Sequence, residues 1–332
     1  MTGKSDNLSI ARHPPEHAIG SYLEAYFAPL QPWLKQDDVT EILINKPGEI
    51  WIERSGPGTM QCFSVPQIDS KLIERLATQI ARVNHQGVNR ENPLLSAILE
   101  DGARVQVIAP SATRGDWVMA IRRHKIKAMP LSAFATQLKP PQEPAIKLAE
   151  SDPLAFLQEA IVARKTILIS GGTSTGKTSF LNALLAKVPE TERIVLVEDT
   201  PEIRLSHPNS VGLVAMKGDM GEARINTNDL LQAALRLRPD RIVLGELRGS
   251  ESVSFLRAIN TGHPGSFSTI HANSPRGAIE QLTLMVMQAG IGLSRQDVIE
   301  YARFVVDIVV QLERQEGKRG ISSIVMTRDL VW

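Results

Sequence analysis

One eight-residue segment, Gly171–Thr178, constrains the fold of this chain more than any other feature. Its sequence, GGTSTGKT, fits the pattern G-x-x-x-x-G-K-[ST]. An apolar run at 166–169 precedes it, and a helical pattern follows over 178–186. Glycines let the backbone wrap closely around phosphate oxygens, and backbone N–H groups at a helix N-terminus supply positive potential. The segment therefore predicts a strand, a phosphate-binding loop and a helix, in the order that the motif requires. A chance glycine-rich turn is the alternative, and the flanking pattern disfavours it.

The residue types of this loop assign its chemistry. Lys177 is expected to reach the β- and γ-phosphates of a nucleotide, and Thr178 to place its hydroxyl on Mg²⁺. We therefore predict ATP and Mg²⁺ as ligands, with Thr178 among the metal ligands. The predicted nucleotide-binding residues are Gly171, Gly172, Thr173, Ser174, Thr175, Gly176, Lys177, Thr178 and Ser179.

Two acidic residues stand where later apolar runs end. Glu198 follows the run at 193–197, and Glu246 follows the run at 241–244. A doubly wound sheet opens its crevice at the carboxyl ends of its strands, so both carboxylates are expected beside the loop. Glu246 is predicted to hold Mg²⁺ or to orient the nucleophile, and Glu198 to polarise the attacking water. Acidic residues after strands are also ordinary helix caps, and either glutamate could be the stronger general base.

Two histidines, His263 and His271, flank a strand-like run at 266–270. A metal site would need a third ligand, and none of suitable spacing stands nearby. A structural role and a γ-phosphate sensor role both stay open. His271 is better placed for the sensor role, because histidine can donate a hydrogen bond to phosphate without a permanent charge.

The chain divides at a proline-rich stretch, 139–144, because its three prolines cannot continue a helix or lie inside a sheet. A length of 332 residues also suggests two domains. Over residues 1–138, a helical stretch at 22–28 and strand-like segments predict a smaller α+β N-terminal domain. Over residues 139–332, apolar runs alternate with helical patterns, which predicts an α/β domain with a mostly parallel sheet.

Composition excludes several classes of protein. The chain has 37 Lys and Arg against 36 Asp and Glu, which argues against a bulk basic clamp on nucleic acid. Its single cysteine, Cys62, excludes a disulfide framework and a four-cysteine zinc module within one chain and favours a reducing compartment. We find no apolar run of the ~20 residues that a spanning helix needs, and the N-terminus lacks the apolar segment of a secretory signal.

Taken in order, these motifs resemble the secretion (traffic) ATPase superfamily. The loop is similar to its Walker A motif, and the Asp box, Walker B and His box follow as IVLVEDTPE at 194–202, LRLRPDRIVLGELR at 235–248 and GHPGSFSTIHAN at 262–273. The resemblance covers residues 145–332 and is strongest to the hexameric ATPase of type IV secretion systems. Two departures are Ser174-Thr175, where many members have Gly-Ser, and Gly245, where many P-loop enzymes have Asp.

The resemblance implies a RecA-like P-loop domain, a homohexameric ring and nucleotide bound between the two domains. It also implies phosphate-contacting arginines in the N-terminal domain, which map onto Arg104 and Arg122, with Arg123 as a substitute. A solvated basic edge is the alternative for these arginines. We expect Lys177, Glu198, Glu246, His271, Arg104 and Arg122 to be the catalytic residues.

The expected function is that of an ATPase whose Mg-ATP hydrolysis powers pilus assembly and substrate export across the bacterial envelope. Its expected partners are inner-membrane and channel components of a secretion apparatus. The chain is expected to bind them at the cytoplasmic face of the inner membrane. Nucleic acid is not expected as a direct stable ligand. Alternatives are a pilus assembly or retraction motor, a type II secretion motor, a DNA-translocating motor and a nucleotide-binding scaffold without turnover. Typical type II secretion ATPases carry a four-cysteine zinc module, which this chain lacks.

Overall fold

A computed structural model describes residues 23–56, 58–123, 152–216, 225–316 and 318–332. The first half of the chain forms a six-stranded sheet from β1 (Val39–Ile44), β2 (Glu49–Arg54), β3 (Gln61–Ser64), β4 (Leu94–Ile98), β5 (Arg104–Ile108) and β6 (Val118–Arg122). The strand order is β3-β2-β1-β6-β5-β4, and every pair is antiparallel. Helix α1 covers residues 23–27 of the described ranges, and α2 (Gln31–Leu34) follows it.

Helix α3 (Ser70–Val83) packs its apolar face into the core of this first sheet. Ile73, Leu76 and Ile80 recur at helical spacing and are buried. The helix begins at Asp69, whose carboxylate accepts a hydrogen bond from the N–H of Leu72 at 2.7 Å and so satisfies one of the free amides of the first turn. Strands and helices therefore share one core in this half, as the sequence predicts.

The second half of the chain forms a seven-stranded sheet in the order β13-β12-β7-β11-β10-β8-β9. Its strands are β7 (Ile167–Gly171), β8 (Ile194–Glu198), β9 (Ser210–Val214), β10 (Arg241–Leu244), β11 (Phe267–Ile270), β12 (Ile308–Gln315) and β13 (Lys318–Met326). All pairs are parallel except the β12–β13 hairpin. The predicted mostly parallel sheet is confirmed.

Helices lie on both faces of the second sheet, which explains why its central strands are apolar throughout. The helices are α4 (Pro153–Val162), α5 (Lys177–Leu185), α6 (Thr227–Ala234), α7 (Glu251–Asn260), α8 (Pro275–Gln288) and α9 (Arg295–Val305). Helices α4 and α5 cover one face, and α6 to α9 contribute to the cluster on the other. Strand β8 alternates between the two, since Ile194 and Leu196 face α4 and α5 while Val195 and Val197 face the opposite cluster.

The two sheets meet through a shared apolar cluster. Leu43, Ile108 and Val118 of the first sheet belong to the same buried cluster as Val195 and Leu213 of the second. The interface is therefore continuous with the core of the second half and is held by burial of apolar surface.

Polar contacts also join the two halves of the chain. Arg193 is fully buried, and its Nη1 donates to Asn45 Oδ1 at 2.8 Å and to Asn209 Oδ1 at 2.6 Å. Arg238 forms an ion pair with Glu53 of β2. These contacts join side chains from both halves, so they fix the orientation of one sheet on the other.

Two predictions fall outside the described residues. The proline-rich stretch at 139–144 and the predicted division between residues 138 and 139 lie there, so the domain boundary stays a prediction. Among the described residues, no helix has the length and apolar character that a membrane crossing requires.

Candidate active site

The glycine-rich loop lies between β7 and α5. Gly176 is the N-cap of α5 with φ +93°, a left-handed conformation that glycine adopts without a Cβ clash. A Cβ on Gly171 would lie 2.5 Å from Thr175 Oγ1 and 2.9 Å from the carbonyl oxygen of Leu312. Thr175 Oγ1 in turn donates to the carbonyl of Gly172 at 2.9 Å. The glycines therefore let the loop fold tightly over the end of β7.

Lys177 is the first residue of α5 and is 9% exposed. Its Nζ donates to the carbonyls of Gly171 and Gly172, both at 2.9 Å, and lies 3.4 Å from His271 Nδ1. Burial lowers the pKa of the Lys177 ammonium, and the charge of Glu246 opposes that shift. The ammonium is therefore held over the loop, where it can bind an anion.

Glu198 ends β8 and is 3% exposed. Its Oε1 accepts hydrogen bonds from the N–H groups of Glu202 at 3.0 Å and Ile203 at 2.9 Å. Its Oε2 accepts a hydrogen bond from Nη2 of Arg114, which comes from the first half of the chain. Both carboxylate oxygens are therefore fixed in orientation.

Glu246 lies beyond the end of β10, the neighbour of β8 in the sheet. Its Oε1 is 2.7 Å from His271 Nε2, and its Oε2 accepts a hydrogen bond from Arg248 Nε at 2.7 Å. A Cβ on Gly245 would lie 3.2 Å from Cγ of Glu198. The glycine that stands in place of the more usual Asp therefore leaves room for the Glu198 side chain beside Glu246.

The two histidines occupy different surroundings, before and after β11. A carboxylate can only accept, so His271 Nε2 carries the hydrogen toward Glu246, and in the neutral ring Nδ1 is an acceptor facing Lys177. His263 Nδ1 lies 2.9 Å from the carbonyl oxygen of Pro239, and burial lowers the pKa of His263. Within the described ranges, no group of three or more His, Cys, Asp or Glu residues is arranged to hold a metal ion by itself.

These groups surround a cleft of about 400 Å³. The predicted site residues that line it are Thr173, Ser174, Gly176, Lys177, Thr178, Ser179, Glu198, Glu246 and His271. The other predicted loop residues do not line the cleft but stabilise the loop conformation through their contacts with one another; they are Gly171, Gly172 and Thr175. The loop, both carboxylates and one histidine are therefore brought to one place.

The structure does not bring Arg104 and Arg122 to this cleft. The two arginines lie opposite each other on β5 and β6, and neither lines the cavity. Both arginines lie at one end of the β5–β6 pair. The 109–117 connection lies at the opposite end, and this connection is the part that contacts Glu198. The two ends of a five-residue strand are separated by four rises, or about 13 Å. The substitute, Arg123, donates to the carbonyl of Gln36 at 2.7 Å instead.

Among the residues that the structure describes, three other arginines take part in the site. Arg248 and Arg319 line the cleft, and Arg114 holds Glu198. Arg248 stands two residues after Glu246, so its place in the Walker B-like segment could have identified it. Arg319 comes from the β12–β13 hairpin and Arg114 from the β5–β6 connection, and no local pattern in the sequence distinguishes either.

The parallel sheet, the loop at the N-terminus of α5 and the two carboxylates at neighbouring strand ends define a P-loop nucleotide-binding protein. The family model for type II/IV secretion system proteins matches residues 24–315. The chain belongs to this family, since the match covers both sheets as far as the end of β12.

Named relatives are similar over most of their length. The type IV secretion system protein PtlH of Bordetella pertussis is 37% identical over 310 residues, covering 87% of this chain and 89% of the relative. VirB11 of Bartonella henselae is 33% identical over 323 residues, covering 89% of this chain and 90% of the relative. The crystal structure of the VirB11 ATPase from the Brucella suis type IV secretion system, in complex with sulphate, superposes with a TM-score of 0.85 at 31% identity, covering 94% of this chain and 96% of the other.

Proposed function

We propose that this chain is an ATPase that powers a type IV secretion system. The observation that supports the proposal best is the cleft, in which the glycine-rich loop, Lys177, Glu198 and Glu246 meet. Similarity to VirB11 and PtlH over about nine-tenths of each chain supports the secretion role.

The groups of the cleft suit in-line attack of water on a γ-phosphate. Lys177 and the loop N–H groups bind the β- and γ-phosphates and stabilise the charge on the transferred group. Glu198 or Glu246 orients the attacking water. His271 contacts both Lys177 and Glu246, so a change at the γ-phosphate reaches both groups through it.

The cleft also has donors of the type that Mg²⁺ prefers. Thr178 and Glu246 line it together and offer a hydroxyl and a carboxylate, which are hard oxygen ligands. Mg²⁺ held by these two residues would neutralise negative charge on the bound nucleotide.

The working unit that we propose is a homohexamer built from domains 1–138 and 139–332, in which nucleotide binds in the cleft of one subunit and faces the N-terminal domain of a neighbouring subunit. Arg104 and Arg122 are exposed and remote from the cleft of their own chain. We infer that they bind the phosphates of a nucleotide in a neighbouring subunit, where a guanidinium stabilises the transferring group. Hydrolysis then releases this contact and lets the N-terminal domain move.

We place the ring at the cytoplasmic face of the inner membrane, where it binds inner-membrane and channel components of the secretion apparatus. Nucleic acid is not expected as a direct stable ligand, because the net charge of +1 gives no general attraction to phosphate backbones.

The experiment that tests the ATPase assignment is steady-state phosphate release by the purified chain with Mg-ATP. We expect turnover that stops when EDTA removes Mg²⁺ and returns when Mg²⁺ is restored. Nucleotide binding with no phosphate release under any of these conditions would favour the scaffold alternative and contradict the proposal.

A further inference from the structure

The β5–β6 connection of the first sheet docks on β9, the edge strand of the second sheet. Thr113 forms an antiparallel bridge with Leu213, and Ala112 is buried in the same apolar cluster as Val211 and Leu213. An edge strand presents unpaired N–H and C=O groups, and the bridge uses them. The connection is therefore held against β9 in one register.

This docking directs the side chain of Arg114 across β9. A Cβ on Gly212 would lie 2.5 Å from Nε and 2.6 Å from Cδ of Arg114, so the arginine occupies the space that the glycine leaves. Beyond Gly212, Nη2 of Arg114 donates to Glu198 Oε2 and, at 2.8 Å, to the carbonyl of Ile203. Two acceptors on one nitrogen fix the guanidinium in place.

Arg114 stands behind Glu198 and does not line the nucleotide cleft. It lines a second cavity, of about 340 Å³, to which both halves of the chain contribute, with Asn45 on one side and His207 on the other. Glu198 lines the nucleotide cleft. Of the cleft-lining residues, Arg114 donates hydrogen bonds to Glu198 and to the carbonyl of Ile203, and of these two residues Glu198 is the one with a charged side chain.

Of the two oxygens of Glu198, one is held by its own half of the chain and the other by the opposite half. The N–H groups of Glu202 and Ile203 hold Oε1, and Arg114 holds Oε2. The amides belong to the segment directly after β8, so they stay with Glu198 in any arrangement of the two sheets. Only the arginine depends on how the first sheet is docked.

We propose that Arg114 is a positioning residue for hydrolysis, which holds Glu198 in its working orientation only while the β5–β6 connection is docked on β9. Undocking withdraws the guanidinium and releases Oε2, so turnover at the cleft depends on the placement of the N-terminal sheet. The inference rests on the proposed ATPase function.

The first test is the replacement of Arg114 itself in the full-length chain. Arg114→Ala is expected to lower kcat by about 10- to 100-fold, the range found when an outer partner that orients a metal ligand is removed. The KM for ATP should stay within about 2-fold because the phosphate contacts remain. Arg114→Lys keeps the charge but loses the planar fork, so it should recover part of the lost kcat. An unchanged or raised kcat in Arg114→Ala would overturn the proposal.

A second variant moves the arginine without changing any charge. Gly212→Ala places a methyl group where Nε and Cδ of Arg114 lie, and the flexible side chain must shift to accommodate it. We expect Gly212→Ala to lower kcat in the same way, and to have no further effect when combined with Arg114→Ala. The matched control is Gly87→Ala, whose Cβ meets nothing within 4 Å and which should keep the wild-type kcat.

A double-mutant cycle with Glu198→Gln tests whether the arginine acts through the carboxylate. The Arg114→Ala and Glu198→Gln effects on kcat should be strongly non-additive. Full additivity, or a Gly212→Ala effect that persists in Arg114→Ala, would contradict the proposal.

Thermal unfolding of each variant identifies loss of fold. If Arg114→Ala does not fold, the kcat of Gly212→Ala provides the test instead. Absence of wild-type turnover would reject the proposed function, whereas wild-type turnover with an unaffected Arg114→Ala would reject this inference alone.

Discussion

The two carboxylates of the cleft are held by different kinds of partner. Glu198 is bound by backbone amides and by Arg114 from the other half of the chain, whereas Glu246 is bound by His271 and Arg248 from its own half. Removing the charge of Glu246 therefore disturbs groups within the second half only.

We predict that Glu246→Gln lowers kcat by about 100-fold or more, because the amide loses both the charge that suits Mg²⁺ and an oxygen that accepts from His271 or Arg248. Phosphate release measures the effect, and ATP binding by a fluorescent analogue shows that the cleft persists. Glu300→Gln, on the exposed side of α9, is the control and should keep full activity. Retention of more than half of the wild-type kcat in Glu246→Gln would remove Glu246 from the catalytic assignment.

Individual site residues differ in how far the sequence can predict them. Lys177 and Thr178 follow from a contiguous motif, because a loop at a helix N-terminus is a local structure. Arg104 and Arg122 are expected from the family pattern alone, and they do not reach the cleft of this chain. Arg114 could not be predicted, since its contact with Glu198 joins residues 84 apart and exists only when the two sheets are docked.

Among the elements, the buried parallel strands are the most predictable. The apolar runs at 166–169, 193–197 and 241–244 correspond to β7, β8 and β10, because strands covered on both faces need continuous apolar sequence. The β12–β13 hairpin is not predicted from the sequence. Its outer strand, β13, starts with exposed residues and alternates only weakly, and this hairpin carries Arg319 into the cleft.

Strand β1 contains a buried carboxylate, Glu41, which makes the stability of the folded chain depend on pH. Burial raises the pKa of Glu41 to about 7, while the charge of Arg122 opposes the shift. Glu53 lies directly opposite Glu41 on β2 and raises the pKa further, and Arg238 and Arg193 lower it. The folded chain therefore binds a proton that the unfolded chain releases between about pH 4.5 and pH 7.

Because the folded state binds more protons in this window, the free energy of unfolding falls as the pH rises through it. We predict that Glu41→Gln removes this loss, so that the variant gains stability relative to wild type from pH 5 to pH 8, by up to about 3 kcal/mol. Thermal unfolding at several pH values measures the difference. The control Glu24→Gln, at an exposed position, should keep the wild-type pH profile, and a Glu41→Gln profile parallel to wild type would contradict the assignment.

The first sheet is joined to the second through one apolar cluster, a hydrogen bond from Arg193 to Asn45 and an ion pair between Arg238 and Glu53. Arg114 links the N-terminal sheet to Glu198 of the same chain. Arg104 and Arg122 remain exposed at the opposite end of β5 and β6. Arg104 and Arg122 are proposed to bind phosphate but do not reach the cleft of their own chain. We therefore expect them to complete the nucleotide site of a neighbouring subunit when the chain assembles.

We predict that the chain forms particles near six times 36.4 kDa in the presence of Mg²⁺ and a non-hydrolysable ATP analogue. Light scattering coupled to size-exclusion chromatography measures the mass. Arg122→Ala should assemble less completely or turn over more slowly at equal protein concentration. A strict monomer with and without the analogue would contradict the hexameric arrangement.

Lys177→Ala is the variant that best tests whether the cleft hydrolyses ATP. The substitution removes the ammonium that lies over the loop and leaves the apolar cores untouched. We predict that steady-state phosphate release falls by at least about 100-fold with the thermal unfolding temperature close to wild type, whereas Lys187→Ala, at an exposed lysine just beyond α5, keeps wild-type turnover. Full phosphate release by Lys177→Ala would contradict the assignment of ATP hydrolysis to this cleft.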